Sequence, residues 1–418
     1  MTNLNDSLTF RHGTTLDNRL VLPSMLTNSG EDGYITQDTL DYYRARAKSG
    51  SMLMTEYMYV TENGGPALTW KRGREQLAAY DDQFLPQLKK LAQTMKSTGS
   101  KAVMQIAHTG REANYRAMQG EKVYAPTGLE DGNDFSFLAY KVHSLSDEQI
   151  REIIAGFGKA TKRAIDAGFD GVEIHGANHY LIQQFVSAYS NHRTDHWGGS
   201  VEKRMNFPLA VVKTVMDTVN KYAPKNFIVG YRISPEEIHG KNVGYTWHES
   251  TQLINQITKQ FDLDYIHLSM LHFDSKPGDA LLLDADGQAD NKFKDSDKPF
   301  ATLFKPYLNG SKEIIVGGID SKAKAEAALS LADLVAVGRE NIIDPDFAEK
   351  VLNNQEDQII KSLSVEQTKQ NHMTPGLIDT FSAPTVAIPL SGAENIQSLH
   401  QGFGGWTEMT YPRNSETK

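Results

Sequence analysis

Residues 146–175 read SDEQIREIIAGFGKATKRAIDAGFDGVEIH. Ser146 followed three positions later by Gln149 is a capping box, in which each side chain satisfies a free amide of the first helical turn. Ile150, Ile153, Ile154, Phe157, Ala160 and Ala164 then recur at helical spacing, and Gly168 ends the run. GVEIH, 171–175, follows at once as an apolar strand, and the strand before the helix is KAVMQIAH, 101–108. Strands that are apolar on both faces, joined through helices, predict a parallel sheet.

The same alternation extends in both directions. Strands are predicted at 20–25, 51–56, 101–108, 171–175, 227–233, 265–269, 313–318 and 334–338. Helices follow at 36–49, 84–99, 146–168, from about Ser200, from Thr246, near 300–308, at 321–330 and from about Pro345. Eight βα units predict a closed (β/α)8 TIM barrel. A doubly wound open sheet is the competitor, and it would want a G-x-G-x-x-G turn that this chain lacks. Long βα loops fall at 57–80, 109–143, 176–199 and 270–299, on the C-terminal face where barrels keep their sites. Residues 1–354 read as the barrel. Residues 355–418 read as an irregular C-terminal tail, packed on the barrel or on a neighbouring subunit of a homo-oligomer.

Bulk properties narrow the function classes. Of 418 residues, 39% are apolar and 23% charged, ordinary for a globular chain, and the net charge is −9. No basic stripe points to nucleic acid and no apolar run points to a membrane. With no cysteine, disulfides, cysteine-ligated clusters and thiol catalysis are excluded. The polar N-terminus and the missing cysteine suggest a cytoplasmic protein.

Polar residues gather at the strand ends. Gln105 and Arg232 interrupt apolar strands. Gln105 suits an amide-like heterocycle edge, and Arg232 requires an anionic partner. Gly317, Gly318, Gly338 and Arg339 end strands seven and eight, a place where barrels bind phosphate. His175 and Asn178 can both donate to one oxygen, and Tyr180 holds a proton at neutral pH. His175 and His179 have a spacing that can hold metal, but no third ligand accompanies them. Arg193 and Asp195 read as a structural pair in a turn.

The stretch 168–207, GFDGVEIHGANHYLIQQFVSAYSNHRTDHWGGSVEKRMNF, resembles the central signature of the Old Yellow Enzyme family of flavin oxidoreductases. NRLVLPSMLTNS, MTEYMYV, MQIAHTGR, VGGI and LVAVGRENIIDPDF match its other landmarks in order, from about residue 8 to 350. The resemblance implies a TIM barrel that binds FMN, takes hydride from NADH or NADPH and reduces activated alkenes in a ping-pong scheme. By that resemblance His175 and Asn178 bind the substrate oxygen and Tyr180 protonates its α-carbon. Gln105 and Arg232 would hold the flavin pyrimidine edge, and Ser24, Met25, Thr27 and Tyr57 would flank the flavin. The two glycine turns with Arg339 would hold the phosphate. Leu26 stands where the family usually has Thr or Cys, His179 where it has Gly, and Tyr57 where it has a small residue. A barrel lyase and a flavin-binding barrel without turnover are the alternative functions. The first would want a lysine at a strand end, and there is none.

Overall fold

The capping box forms as the sequence implies. The Gln149 amide donates to Ser146 Oγ at 3.2 Å and the Ser146 amide to Gln149 Oε1 at 2.9 Å. The helix they start runs Asp147–Ala167, and Gly168 stops it with φ +82°, a left-handed conformation that glycine adopts without penalty. Its buried face includes Ile150, Ile153, Phe157, Ala160 and Ala164. Full burial of each large apolar side chain contributes about 1.5–3 kcal/mol.

This computed structural model describes residues 2–69, 71–133, 138, 140–239, 242–279, 293–383 and 389–401. Part of the 270–299 loop and the C-terminal GFGGWTEMTYP lie outside the described residues. Eight parallel strands close into a barrel. They are β1 (Leu20–Leu22), β2 (Met52–Met54), β3 (Lys101–Ala107), β4 (Gly171–Gly176), β5 (Ile228–Ile233), β6 (Tyr265–Leu268), β7 (Lys312–Val316) and β8 (Leu334–Ala336). Each pairs with the next, and β8 pairs with β1. The principal helices between and after them are α1 (Gln37–Ala45), α2 (Leu85–Met95), α3 (Asp147–Ala167), α4 (Asn206–Tyr222), α5 (Trp247–Gln260), α6 (Phe300–Phe304), α7 (Lys322–Leu329) and α8 (Phe347–Leu352). The predicted order is therefore present. The first strand stops at Leu22, short of the expected 25, because Pro23 has no amide to donate to a ladder.

The barrel interior has two unlike halves. Its lower half is apolar: Val21, Met52, Val103, Ile228, Tyr265, Ile314 and Leu334 pack together. An N-terminal hairpin, Leu8–Thr9 with Thr15–Leu16, plugs this end through Leu8, Phe10 and Leu16. Gly230 has no side chain because a Cβ would lie 2.1 Å from the Tyr265 ring. The upper half is polar and leads to the long loops. No helix among the described residues is long and apolar enough to cross a membrane.

The chain after α8 contains two short helices, Val365–Gln370 and Pro375–Ser382. Buried Arg46 ties this segment down, donating to the carbonyls of Asn341 (2.9 Å) and Asn371 (3.0 Å). Arg74 pairs with buried Asp379 at 3.3 Å.

Candidate active site

Alternation along a strand sends every second residue inward. On β4 that puts Glu173 and His175 on the same inner face. On β3, β5 and β6 the corresponding upper positions are Gln105, Arg232 and His267. Register aligns Glu173 with Gln105, His175 with Arg232, and Arg232 with His267. Glu173 and His267, 94 residues apart in sequence, thus meet in one buried layer.

That layer is hydrogen-bonded in series. Ser24 Oγ donates to Gln105 Oε1 at 2.7 Å, and Gln105 Nε2 donates to Glu173 Oε1 at 2.6 Å. His267 Nδ1 lies 2.9 Å from Glu173 Oε2, with both side chains fully buried. Arg232 donates to the Ser24 carbonyl and to Ser269 Oγ, both at 3.1 Å. Ser269 Oγ in turn donates to Asn178 Oδ1 at 2.8 Å. Burial alone would raise the Glu173 pKa. The His267 and Gln105 hydrogen bonds and the nearby charge of Arg232 outweigh it and bring the group down to about 2. Burial lowers His267, so its neutral imidazole donates to the carboxylate. Glu173 supplies negative charge near buried Arg232, acting on it through space and not as a direct ion pair.

The structure brings Gln105 and Arg232, both expected from the sequence, into one layer with Glu173 and His267, which the sequence reading does not single out. The signal was the same, a polar residue at an inward position of an apolar strand. Gln105 keeps one N–H and one lone pair for a ligand after its two internal bonds. Arg232 Nε has no protein partner among the described residues.

Beyond β4 the backbone turns sharply. Asn178 and His179 both have left-handed φ, +58° and +61°. Asn and His tolerate that region better than most side chains, at some cost in strain. The turn is held by the His179 amide on Gln183 Oε1 (3.0 Å) and by Gln184 Nε2 on the His179 carbonyl (2.6 Å). In this structure, then, the backbone of His179 shapes the turn that follows His175. The turn delivers Tyr180 to a buried position with its ring edge-on to His175, centroids 5.2 Å apart. Burial, reinforced by Arg232, lowers His175 to about 3, so the imidazole is neutral and can donate without carrying charge. Its Nδ1 has no protein partner among the described residues. Burial raises Tyr180 well above the usual phenol, which keeps its proton in place at neutral pH.

Tyr57 packs edge-on against Tyr180 at 5.1 Å. Its hydroxyl donates to Gln76 Oε1 (2.7 Å) and accepts the Ala67 amide (2.9 Å). Arg193 and Asp195 form the expected turn pair at 2.6 Å, and Arg193 also holds the carbonyls of Pro126 and Leu145.

The predicted phosphate residues meet at a separate end of the same face. Ser24, Met25, Arg232, Gly317, Gly318, Gly338 and Arg339 line one cavity of about 380 Å³. Gly317 has φ +128°, and a Cβ there would meet the Leu271–His272 backbone at 2.5–2.6 Å. The glycine is therefore required by the fold as well as suited to a close-approaching ligand. Thr27 and Tyr57 are not in this lining. Thr27 gives its amide to Glu56 Oε2 (2.7 Å) and shares its hydroxyl with Ser29 (2.8 Å).

The arrangement fits a flavin mononucleotide. A cradle of glycines with an arginine lies at one end. A buried guanidinium with an unused N–H and a half-engaged amide lie at the other.

A model of the family described as NADH:flavin oxidoreductase / NADH oxidase matches residues 4–358. A probable NADH-dependent flavin oxidoreductase of Bacillus subtilis is 37% identical over 371 residues, which are 88% of this chain and 92% of that protein. The NADH:acrylate oxidoreductase of Vibrio harveyi is 36% identical over 361 residues, 85% of this chain and 34% of that longer protein. The structure of an Old Yellow Enzyme homologue from Zymomonas mobilis matches with a TM-score of 0.69, covering 89% of this chain and 99% of that one. Its 21% identity makes this a likeness of fold.

Proposed function

The chain belongs to the NADH:flavin oxidoreductase / NADH oxidase family, that of Old Yellow Enzyme, and from that premise we propose that it oxidises NADH or NADPH and reduces an electron-poor alkene, the two substrates using one site in turn. The Vibrio harveyi relative, named for acrylate, supports an alkene conjugated to a carbonyl or carboxyl group. The cofactor is FMN. Bound there, it supplies hydride acceptance from the nicotinamide and hydride donation to the alkene β-carbon.

The protein's part is orientation and electrostatics. Gln105 and Arg232 hold the polar edge of the isoalloxazine, and the Arg232 charge favours electron density arriving there. Gly317, Gly318, Gly338 and Arg339 hold the phosphate. His175, neutral, and Asn178 donate to the substrate's electron-withdrawing oxygen and so make the β-carbon more electrophilic toward hydride. Tyr180 gives its proton to the α-carbon. A cytoplasmic location is in keeping with the cysteine-free sequence.

One observation carries this reading. A neutral His175 and a protonated Tyr180 lie ring to ring at 5.2 Å, with His175 one inward position beyond Glu173 on its strand and level with Arg232 on the next. The test is Tyr180→Phe under anaerobic stopped flow. Alkene reduction is expected to fall by about 10²–10⁴, the usual range for a lost general acid. Bleaching of the flavin by NADH should persist, since it needs no proton from Tyr180. An unchanged alkene rate would sink the assignment.

A further inference from the structure

The phosphate cavity is not built by the barrel alone. The ends of β7 and β8 line it together with Ser24, Met25 and Arg232, and Pro389, Leu390 and Ser391 also line it. These residues lie beyond residue 358, where the family model stops.

The segment is firmly seated. Leu390 is buried. The Ser391 carbonyl accepts the Leu363 amide at 2.9 Å, and Asn395 Nδ2 donates to the Leu363 carbonyl at 2.9 Å. Gly392 follows with φ +82°, and a Cβ there would lie 2.4 Å from the Leu363 nitrogen. Only glycine permits that approach, so the turn sets where Pro389–Ser391 sit against the barrel.

We propose that Pro389–Ser391 form the outer wall of the phosphate compartment and are specificity-determining residues that restrict the site to a flavin mononucleotide. A dinucleotide carries its second half on from the phosphate, and with Pro389, Leu390 and Ser391 closing a cavity of about 380 Å³ that second half would have to displace them. The proposal rests on reading the cavity as the FMN phosphate site. It assigns to the C-terminal segment a role that the barrel cannot supply.

Charge placed on the wall should be felt by the phosphate and not by the isoalloxazine. Protein stripped of flavin is titrated with FMN, riboflavin and FAD, following flavin fluorescence. Wild type should bind FMN well and FAD far more weakly. Ser391→Glu should weaken FMN roughly fivefold or more, as expected for a like charge at a partly screened separation. Ser391→Lys should tighten FMN by a similar factor. Riboflavin, which has no phosphate, should bind both variants like wild type. Leu390→Ala should narrow the gap between FMN and FAD. Equal changes for FMN and riboflavin, or none for either, would overturn the proposal. Wild-type protein that binds none of the three flavins would instead overturn the functional reading beneath it.

Discussion

The two halves of the barrel interior are equally buried and solve burial differently. Along β3 the inward residues pass from Val103 to Gln105, and along β6 from Tyr265 to His267, a step of two positions in each case. Below, Phe10, Met52, Ile228 and Leu334 need only volume, because dispersion and the hydrophobic effect have no direction. Above, Ser24, Gln105, Glu173, His267 and Arg232 need particular partners at hydrogen-bond distance. The lower half is a plug. The upper half is a polar layer whose members fix one another and leave Arg232 Nε and His175 Nδ1 without a partner among the described residues. One closed sheet can therefore separate stability from chemistry along the direction of its strands.

The largest expected effects come from damaging each half in turn. Glu173→Ala removes the carboxylate that buried Gln105 and His267 hydrogen-bond and the negative charge that acts on Arg232, and removing one partner of such a buried charged group costs about 3–5 kcal/mol. Phe10→Ala, which loses the packing against Tyr265 (ring centroids 5.9 Å), costs a comparable ~3–5 kcal/mol. Urea denaturation should show similar losses. FMN titration should not: affinity should drop in Glu173→Ala and stay at the wild-type value in Phe10→Ala. A fall in both would break the division into plug and polar layer.

The sequence displayed these halves unequally. Continuous apolar runs and capping boxes such as Ser146–Gln149 made the barrel legible, because both are local patterns. Gln105 and Arg232 were visible as polar interruptions. Glu173 and His267 interrupt their strands in the same way, yet their meaning lies in a pairing across 94 residues that only the β4–β5–β6 register creates. The same holds for Tyr57 against Tyr180, and for Pro389–Ser391, whose stretch has no periodicity to announce a wall. Thr27 shows the reverse. The resemblance puts Thr27 beside the flavin with Ser24 and Met25, while in the structure its amide goes to Glu56 and its hydroxyl to Ser29.

A smaller effect should separate the halves by pH. Glu340 lines the cavity proposed to hold the phosphate, and burial, with Asp320 nearby, raises it to about 7. Lowering the pH from 8 to 6 protonates it and removes a negative charge from the compartment. FMN should then bind tighter, by roughly two- to fivefold if the interaction matches a partly screened pair. The phosphate's own second proton binds near pH ~6, which sets the lower edge of the window. Glu340→Gln should bind FMN at pH 8 as wild type does at pH 6, and its affinity should vary little between them. Riboflavin affinity should be flat in both proteins.

The smallest effect lies at the opposite end of the barrel. His12 Nδ1 sits 2.9 Å from Asp264, whose side chain is fully buried, and this hydrogen bond raises the His12 pKa above 6.5. A raised histidine binds its proton more tightly in the folded chain than in the unfolded one. Its stabilisation is therefore complete below about pH 6.5 and is lost as pH rises through the higher, folded value. The imidazole is partly exposed, so the contribution should stay under about 1 kcal/mol. Urea midpoints at pH 6 and 8 should differ more in wild type than in His12→Asn, which has no proton to lose. FMN affinity should be the same in the two proteins at either pH, because this charge faces the plug and not the polar layer. A His12→Asn variant whose flavin affinity changed with pH differently from wild type would show that the two ends of the barrel are coupled.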